Sequence, residues 1–419
     1  MLLKSRSVIV CLSIRGVRGR GPPSASGFAI PTPAPPSSVA ELKVSESKKK
    51  ALNVAVIGPP NVGKSALTNM LIRADVCAVS KRMDTTRNNT VTALTEHECQ
   101  LVVVDSPGLV GIKHARDVVG AHGDAALLAD PEKAITRADH LLIIHDATLP
   151  GRYLSHRLLH LLHRHSHLSA SLVINKIDLI HRQSDVLELG RLLTNGIVGG
   201  QAIQTAGVKL GKLGSVAAKS ELKLHGSHTD GKDEKWKLMY QRLLQKPTHK
   251  VSWGETKKLF GTETGWPNFD RLFFVSAITG RGIDELRSHL QQVATPVEGD
   301  FALDENAVTA KRPKQLVAEH VRSEILNALP GDVAYNLRVN VIEWNGPAAN
   351  AADSDTPLEV VVDVDCDKRR WAELLAAVVP QIEKAVADHL RNLFGLESRV
   401  AVRPKHAKEV VGVKVKAAN

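Results

Sequence analysis

Gly58-Pro59-Pro60-Asn61-Val62-Gly63-Lys64-Ser65 is the stretch on which the fold turns. A glycine, four free positions and Gly-Lys-Ser form the pattern of a phosphate-binding loop. The loop directly follows Leu52-Asn53-Val54-Ala55-Val56-Ile57, an apolar run that reads as a buried parallel strand. Ala66 to Arg73 then shows helical apolar spacing, so the context is strand, glycine loop, helix N-terminus. Gly58 and Gly63 lack a Cβ, which lets successive N–H groups turn inward at a phosphate chain, with Pro59, Pro60, Asn61 and Val62 filling the loop between them. Lys64 is long enough to reach terminal phosphates, Ser65 can offer its hydroxyl to Mg²⁺, and the helix start at Ala66 adds partial positive charge.

Downstream, Leu101-Val102-Val103-Val104-Asp105-Ser106-Pro107-Gly108 is an apolar strand ending in a carboxylate and a Pro-Gly turn. An aspartate at a strand end beside the phosphate loop can hold Mg²⁺, and the Gly108 N–H can sense a γ-phosphate. Leu172-Val173-Ile174 runs into Asn175-Lys176-Ile177-Asp178. The Asp178 carboxylate can accept from both N1–H and the exocyclic amino group of guanine, a pair of donors adenine does not present, with Asn175 and Lys176 supporting the base from its sides. Leu272 to Val275 gives a last strand entering Ser276-Ala277-Ile278, whose backbone can complete the guanine pocket. The four motifs in this order specify GTP over ATP, with Mg²⁺ as the companion ion held by Ser65, Asp105 and a loop threonine. Lys81 to Asn88 supplies that loop; Thr86 is the preferred residue, with Thr85 the alternative. Leu109 follows Gly108, and an apolar side chain cannot orient an attacking water, so intrinsic hydrolysis is expected to be slow. Catalysis then falls to positioning and charge stabilisation by the loop N–H groups, Lys64 and Thr86 with its ion.

These residues resemble the Era-type GTPases: Gly58 to Ser65, Thr85-Thr86-Arg87, Asp105 to Leu109, Asn175 to Asp178 and Ser276-Ala277, joined to a distinctive C-terminal segment. The resemblance implies that a hydrophobic residue in place of the water-orienting glutamine is ordinary for Leu109. It implies a P-loop GTPase domain with a doubly wound, mostly parallel sheet over residues 49–295, followed by a KH-like α+β RNA-binding domain over 296–419. It also implies small-subunit ribosomal RNA as partner and assembly of the mitochondrial small ribosomal subunit as the role, in a monomer of the mitochondrial matrix that makes peripheral contact with the inner membrane.

The second domain has local signals of its own. Lys314 to Leu326 carries a helical stripe that Leu329-Pro330-Gly331 ends, and strands follow at Asn336–Trp344 and Leu358–Val364. A helix over Trp371–Phe394 and a strand near Arg399–Arg403 complete helix, strand, strand, helix, strand. KH domains clamp a nucleic-acid backbone with a Gly-x-x-Gly loop. The equivalent turn is expected at Asp367-Lys368-Arg369-Arg370, which has no glycine. Lys368, Arg369 and Arg370 either replace main-chain contacts by charge or form a solvated basic turn. Arg403, Lys405, Lys408, Lys414 and Lys416 extend the footprint or form a soluble end.

Composition bounds the rest. A net charge of +11 favours a polyanionic partner, nucleic acid or an anionic membrane face. Cys11, Cys77, Cys99 and Cys366 lie far apart in sequence and suggest a reduced compartment. Residues 1–48 read as a mitochondrial transit peptide and linker: Lys4, Arg6, Arg15, Arg18 and Arg20 with several serines, no acidic residue before Glu41, then the Pro/Ser-rich stretch Pro31 to Ser38. Residues 182–265, rich in Gly, Lys, Ser and Thr, read as an insertion, mostly loop, with a helix near Trp236–Leu244. His156, His160, His163 and His167 fall at helical spacing but without a Cys or carboxylate set, and read as surface or boundary histidines rather than metal ligands. An RNA-binding scaffold that holds GTP as a structural ligand is the second functional reading.

Overall fold

The computed structural model describes residues 49–80, 82, 89–109, 125–203, 233–346 and 357–406, with side chains of the helix at 125–129 excepted. Residues 1–48, expected as transit peptide and linker, Thr85, Thr86, residues 204–232 of the expected insertion and the tail lysines beyond residue 406 lie outside them.

The first domain is built on β1 (Lys50–Ile57), β2 (Thr90–Glu96), β3 (Cys99–Asp105), β4 (His140–Asp146), β5 (Ser169–Asn175) and a later strand at Arg271–Phe274. The order across the sheet is β2-β3-β1-β4-β5 and then that later strand; β2 pairs antiparallel and the others parallel. Every position of β4 is buried, as expected for a central parallel strand covered on both faces. Helices α1 (Lys64–Ile72), α2 (Ala125–Ile135), α3 (His156–Arg164) and α4 (Gln183–Leu193) fill the connections. Two apolar cores result, one through Ile57, Leu141, Leu158 and Leu172, the other through Val54, Leu67, Leu101 and Leu286. β1 lies between β3 and β4, so the winding reverses at its C-terminal end, where doubly wound sheets hold their ligands.

The segment expected to be a looped insertion contributes structure at both of its ends. α4 belongs to the regular helical layer: Val186, Leu189 and Leu193 are buried, and a Cβ on Gly190 would come within 2.9 Å of Leu272. A short hairpin, β6 (Ile197–Val198) with β7 (Gln201–Ala202), follows it. After the undescribed stretch come α5 (Glu234–Leu244) and α6 (Trp253–Phe260), the latter begun by a Ser252–Glu255 capping box. They pack against α3, so that two of its histidines, read as surface or boundary groups, lie in the core instead. His160 is buried with Nε2–H donating to the Leu243 carbonyl at 2.9 Å and Nδ1 facing Thr248 Oγ1 at 3.0 Å. His163 is buried against Phe260, ring centroids 4.8 Å apart, and Trp266. His156 is half-buried and His167 exposed. Among the described residues no cluster of three metal-ligating side chains occurs.

The sheet's last strand is β8 (Arg271–Phe274), followed by α7 (Ile283–Val293) and β9 (Thr295–Pro296), which pairs with β1. The second domain is α8 (Pro313–Ala328), a single turn α9 (Gly331–Ala334), β10 (Arg338–Asn345), β11 (Leu358–Cys366), α10 (Arg369–Phe394) and β12 (Ser398–His406). The order is the one the sequence predicts. β11 pairs antiparallel with β10 and parallel with β12, and the helices bury Val321, Ile325, Leu375, Val386 and Leu390 against the sheet. Pro313 at the first position of α8 has the one place in a helix where a missing N–H costs nothing. The basic turn is shorter than expected: Arg369 and Arg370 already lie in the first turn of α10, leaving Asp367 and Lys368 between strand and helix.

Candidate functional site

A cavity of about 400 Å³ opens at the C-terminal ends of β1 and β5, within the range of small-ligand sites. Pro60, Asn61, Gly63, Lys64, Ser65 and Ala66 line one side; Ser106 and Gly108 line a second; Asn175, Lys176, Asp178, Ala277 and Ile278 line a third. Four motifs spread over more than two hundred positions thus meet at one place. Gly58, Pro59, Val62, Asp105, Pro107, Leu109, Ile177 and Ser276 stand just behind this lining, in the same loops.

The loop's shape depends on its glycines. Gly63 has φ +92°, and a Cβ there would sit 2.4 Å from Asn175 Nδ2; a Cβ on Gly108 would sit 2.8 Å from the Pro60 ring. Asn61 also takes a left-handed conformation, φ 60°, turning the loop around the cavity. α1 begins at Lys64, so its unpaired N–H groups and positive dipole end face the cavity. Lys64 Nζ donates to the Pro59 carbonyl at 2.8 Å and the Gly58 carbonyl at 3.3 Å, which folds the ammonium over its own loop.

Ser65 Oγ donates to Asp105 Oδ2 at 2.6 Å. A hydroxyl and a carboxylate held together at the base of a phosphate loop are hard oxygen donors suited to Mg²⁺. Ser106 Oγ donates to the Val56 carbonyl at 2.6 Å and the Leu109 N–H to the Gly58 carbonyl at 3.1 Å, so the turn after Asp105 is fastened to the phosphate loop. The Leu109 side chain packs on the apolar core.

Asn175 does different work from that read in the sequence. Its side chain is buried, with Nδ2 donating to the Val62 carbonyl at 2.9 Å and Oδ1 accepting from the Ala277 N–H at 3.0 Å. It therefore splices the phosphate loop to the Ser276-Ala277 loop. Lys176, in left-handed conformation, donates to the Asn61 carbonyl at 2.7 Å and pairs with Asp146 at 2.6 Å. The Lys176 and Thr148 hydrogen bonds hold the Asp146 carboxyl below its ordinary range against the opposing effect of burial, which is the largest influence. Asp178 is exposed at the rim, free in conformation to meet a base. Ser276 Oγ accepts from the Thr279 N–H at 3.1 Å, shaping the last loop.

Four lining residues lie outside the site residues read from the motifs: Ala78, Val79, Ser80 and Arg82. Arg82 Nε donates to the Leu326 carbonyl at the end of α8, 2.6 Å away, so a residue of the cavity wall grips the second domain. Further along the chain, beyond residues 83–88, Lys311 Nζ binds Thr90 Oγ1 at 2.7 Å and Glu319 of α8 at 2.6 Å. Contacts across 244 and 221 positions leave no trace in local sequence patterns.

At the basic turn, Lys368 Nζ lies 4.7 Å over the Trp371 ring, Arg369 pairs with Glu373 at 3.2 Å, and Arg370 is exposed.

The family described as 50S ribosome-binding GTPase matches residues 53–176. A curated relative, the mitochondrial GTPase Era of Caenorhabditis elegans, is 40% identical over 82% of this chain and 87% of its own. Its zebrafish counterpart, in Danio rerio, is 27% identical over 86% and 76%. Among solved structures, Era in complex with MgGDPNP and nucleotides 1506–1542 of 16S ribosomal RNA superposes with a TM-score of 0.57 at 20% identity, covering 85% of this chain and 94% of that one. An Era variant from Aquifex aeolicus bound to GDP and AlF₄⁻ gives 0.55 over the same shares, again at 20% identity. The phosphate loop at a switch-point cavity, the helix–strand–strand–helix–strand module behind it and these relatives agree, and the chain belongs to the Era-type GTPases.

Proposed function

We propose that this GTPase binds GTP with Mg²⁺ in the cavity at the end of β1, binds small-subunit ribosomal RNA through its C-terminal module, and assists assembly of the mitochondrial small ribosomal subunit in the matrix. The observation that carries the proposal is the pair of tethers, Arg82 to the Leu326 carbonyl and Lys311 to Thr90 and Glu319, which connect a residue of the cavity wall and the start of β2 to one helix of the second domain. Its division into residues 49–295 and 296–419, its monomeric state and its peripheral membrane contact belong to the same reading. The mitochondrial address is supported by its relatives' names, as RNA binding is by the complex of its structural neighbour.

The residues present fit the nucleotide and its ion. Gly63 and Gly108 leave room that a Cβ would take, the α1 N-terminus offers N–H groups to phosphate, and Ser65 with Asp105 offers oxygens to Mg²⁺. Lys64 leaves its carbonyl partners to bind the terminal phosphates, and Asp178 accepts from guanine. Bound Mg²⁺ neutralises charge developing on the transferred phosphoryl group. Thr86 is assigned the γ-phosphate side of the site, Thr85 being its alternative. Leu109 orients no water, so the chain's contribution is to position and stabilise, and turnover is slow until RNA or another partner completes the site.

A second reading rests on that same Leu109: an RNA-binding scaffold in which GTP only props the fold. A single-turnover GTP assay with and without small-subunit ribosomal RNA separates the two. Turnover above background that RNA raises supports the switch; none under either condition leaves the scaffold. Crosslinking in mitochondria followed by sequencing of the bound RNA tests the partner.

A further inference from the structure

Among the described residues, two aromatic side chains are exposed: Tyr153 at 52% and Trp253 at 60%. One lies just before α3 and the other at the first position of α6, two helices that pack together. Tyr153 precedes α3 and stacks on His156 of its first turn, ring centroids 6.1 Å apart and planes 25° from parallel. Trp253 opens α6, and Lys257, one turn on, holds its ammonium 4.8 Å over the indole. Burial, and after it the charge of Lys257, lowers the pKa of His156. Tyr153 and His156 thus stand at the start of α3, and Trp253 and Lys257 on α6, the helix packed beside it. Arg152 and Lys258, next to Tyr153 and Lys257 in sequence, are both exposed.

Of the acidic side chains here, Glu263 sits beside Thr264, whose carbonyl accepts from the Leu154 N–H at 2.9 Å. Glu255 accepts from the Ser252 N–H and hydroxyl at 2.9 and 2.8 Å and lies 3.8 Å from Lys246. A lone exposed ring on a protein surface needs no explanation. Two on packed helices, one of them under an ammonium and each with an exposed cation close by in sequence, have the make-up of a stacking platform for unpaired bases with contacts for their phosphates. A bilayer-facing patch would surround its rings with aliphatic side chains instead.

We propose that the α3–α6 seam of the GTPase domain is a second RNA-contact site, taking a short single-stranded segment whose bases stack on Tyr153 and Trp253 while Lys257 and its neighbours meet the phosphates. This rests on the reading of an RNA partner, and it places a contact in the domain that holds the nucleotide, apart from the KH-like module.

The test uses the full chain with a labelled twelve-nucleotide oligouridylate, a duplex RNA of equal length and phosphatidylserine vesicles. The Tyr153→Ala/Trp253→Ala variant is expected to bind the oligouridylate about fivefold or more weakly, bind the duplex as the parent does, and hydrolyse GTP at the parent rate. Trp253→Phe, which keeps a ring, retains most of the affinity. Ultraviolet crosslinks to uridine map to peptides holding residues 153 and 253. Oligouridylate binding unchanged in the double variant but lost on substituting Lys368, Arg369 and Arg370 overturns the platform and leaves the ribosomal RNA reading standing. Loss of vesicle binding, or of binding to ribosomal particles without loss of RNA binding, assigns the face to lipid or protein and overturns it equally. A parent chain that binds no RNA sinks both readings.

Discussion

Asp178 stands exposed at the rim of the cavity while Asn175, three residues earlier, is buried between two loops, so one motif divides into a recognition residue and a splice. The division makes separable predictions. Asp178→Asn exchanges an acceptor for a donor facing the 2-position of the base. GTP affinity is expected to fall on the order of a hundredfold or more while affinity for xanthosine triphosphate rises, measured by calorimetric titration of both nucleotides; unchanged GTP binding would remove Asp178 from the base pocket. Asn175→Ala instead strands the Val62 carbonyl and the Ala277 N–H, and should lower stability by about 1–3 kcal/mol even without nucleotide, read from urea unfolding. The motif's chemistry was legible in its residue types, but the splice was not, because its partners lie 113 and 102 positions away. Buried histidines add a pH term. His140, set between Ser169 and Ser171, has its pKa pushed down to about 4, chiefly by burial and then by His289; His145 and His320 are also near 4, chiefly by burial. A depressed folded-state value means the stabilisation is complete above the unfolded value of about 6.5 and disappears as pH falls from there toward 4. His389 runs the other way: the Glu324 hydrogen bond raises it, so its smaller contribution is lost as pH climbs past its folded value. The melting temperature should therefore drop between pH 6.5 and 4, less steeply in His140→Gln. A flat profile in scanning calorimetry would contradict this.

At the scale of elements, α1, β3, β5 and five of the six elements of the second domain follow from period and punctuation: a continuous apolar run for β5, a helical stripe broken by Leu329-Pro330 for α8. Two elements were obscured by composition. α4 begins eight residues after Asn175 and was absorbed into the polar segment behind it, although Val186, Leu189 and Leu193 keep helical spacing. α6 carries a capping box readable as Ser252-x-x-Glu255, yet its burial against His163 depends on α3, about ninety positions earlier. The turn into α10 shows the opposite case, where basic residues suited to a loop continue the helix, Arg369 pairing with Glu373 one turn on. The element with most to do is α8, held at its end by Arg82 and near its start by Lys311. Lys311→Ala removes contacts to both β2 and α8 while leaving the phosphate loop intact. It is expected to leave GTP affinity within about threefold and to cut the nucleotide dependence of RNA binding severalfold, coupling of this kind being on the order of 1–3 kcal/mol. Filter binding with each nucleotide checks it, and an undiminished dependence would show that α8 is not the link.

Across the whole molecule, the two domains share a core as well as tethers. Leu316 of α8 and Leu393 of α10 pack with Leu67, Leu71 and Leu290 of the GTPase domain, and His320, stacked on His389 at 5.1 Å, is buried at the junction. Such a packed interface favours discrete arrangements over gradual ones, so, under the proposed function, a change at the nucleotide site can select between dockings of the second domain. The sequence announced both domains, but nothing local in it could announce their contact. The most direct test is the affinity of the full chain for small-subunit ribosomal RNA, measured once with a non-hydrolysable GTP analogue and once with GDP. The account predicts binding tighter with the analogue by about 5–150-fold. Equal affinity in the two states would contradict it.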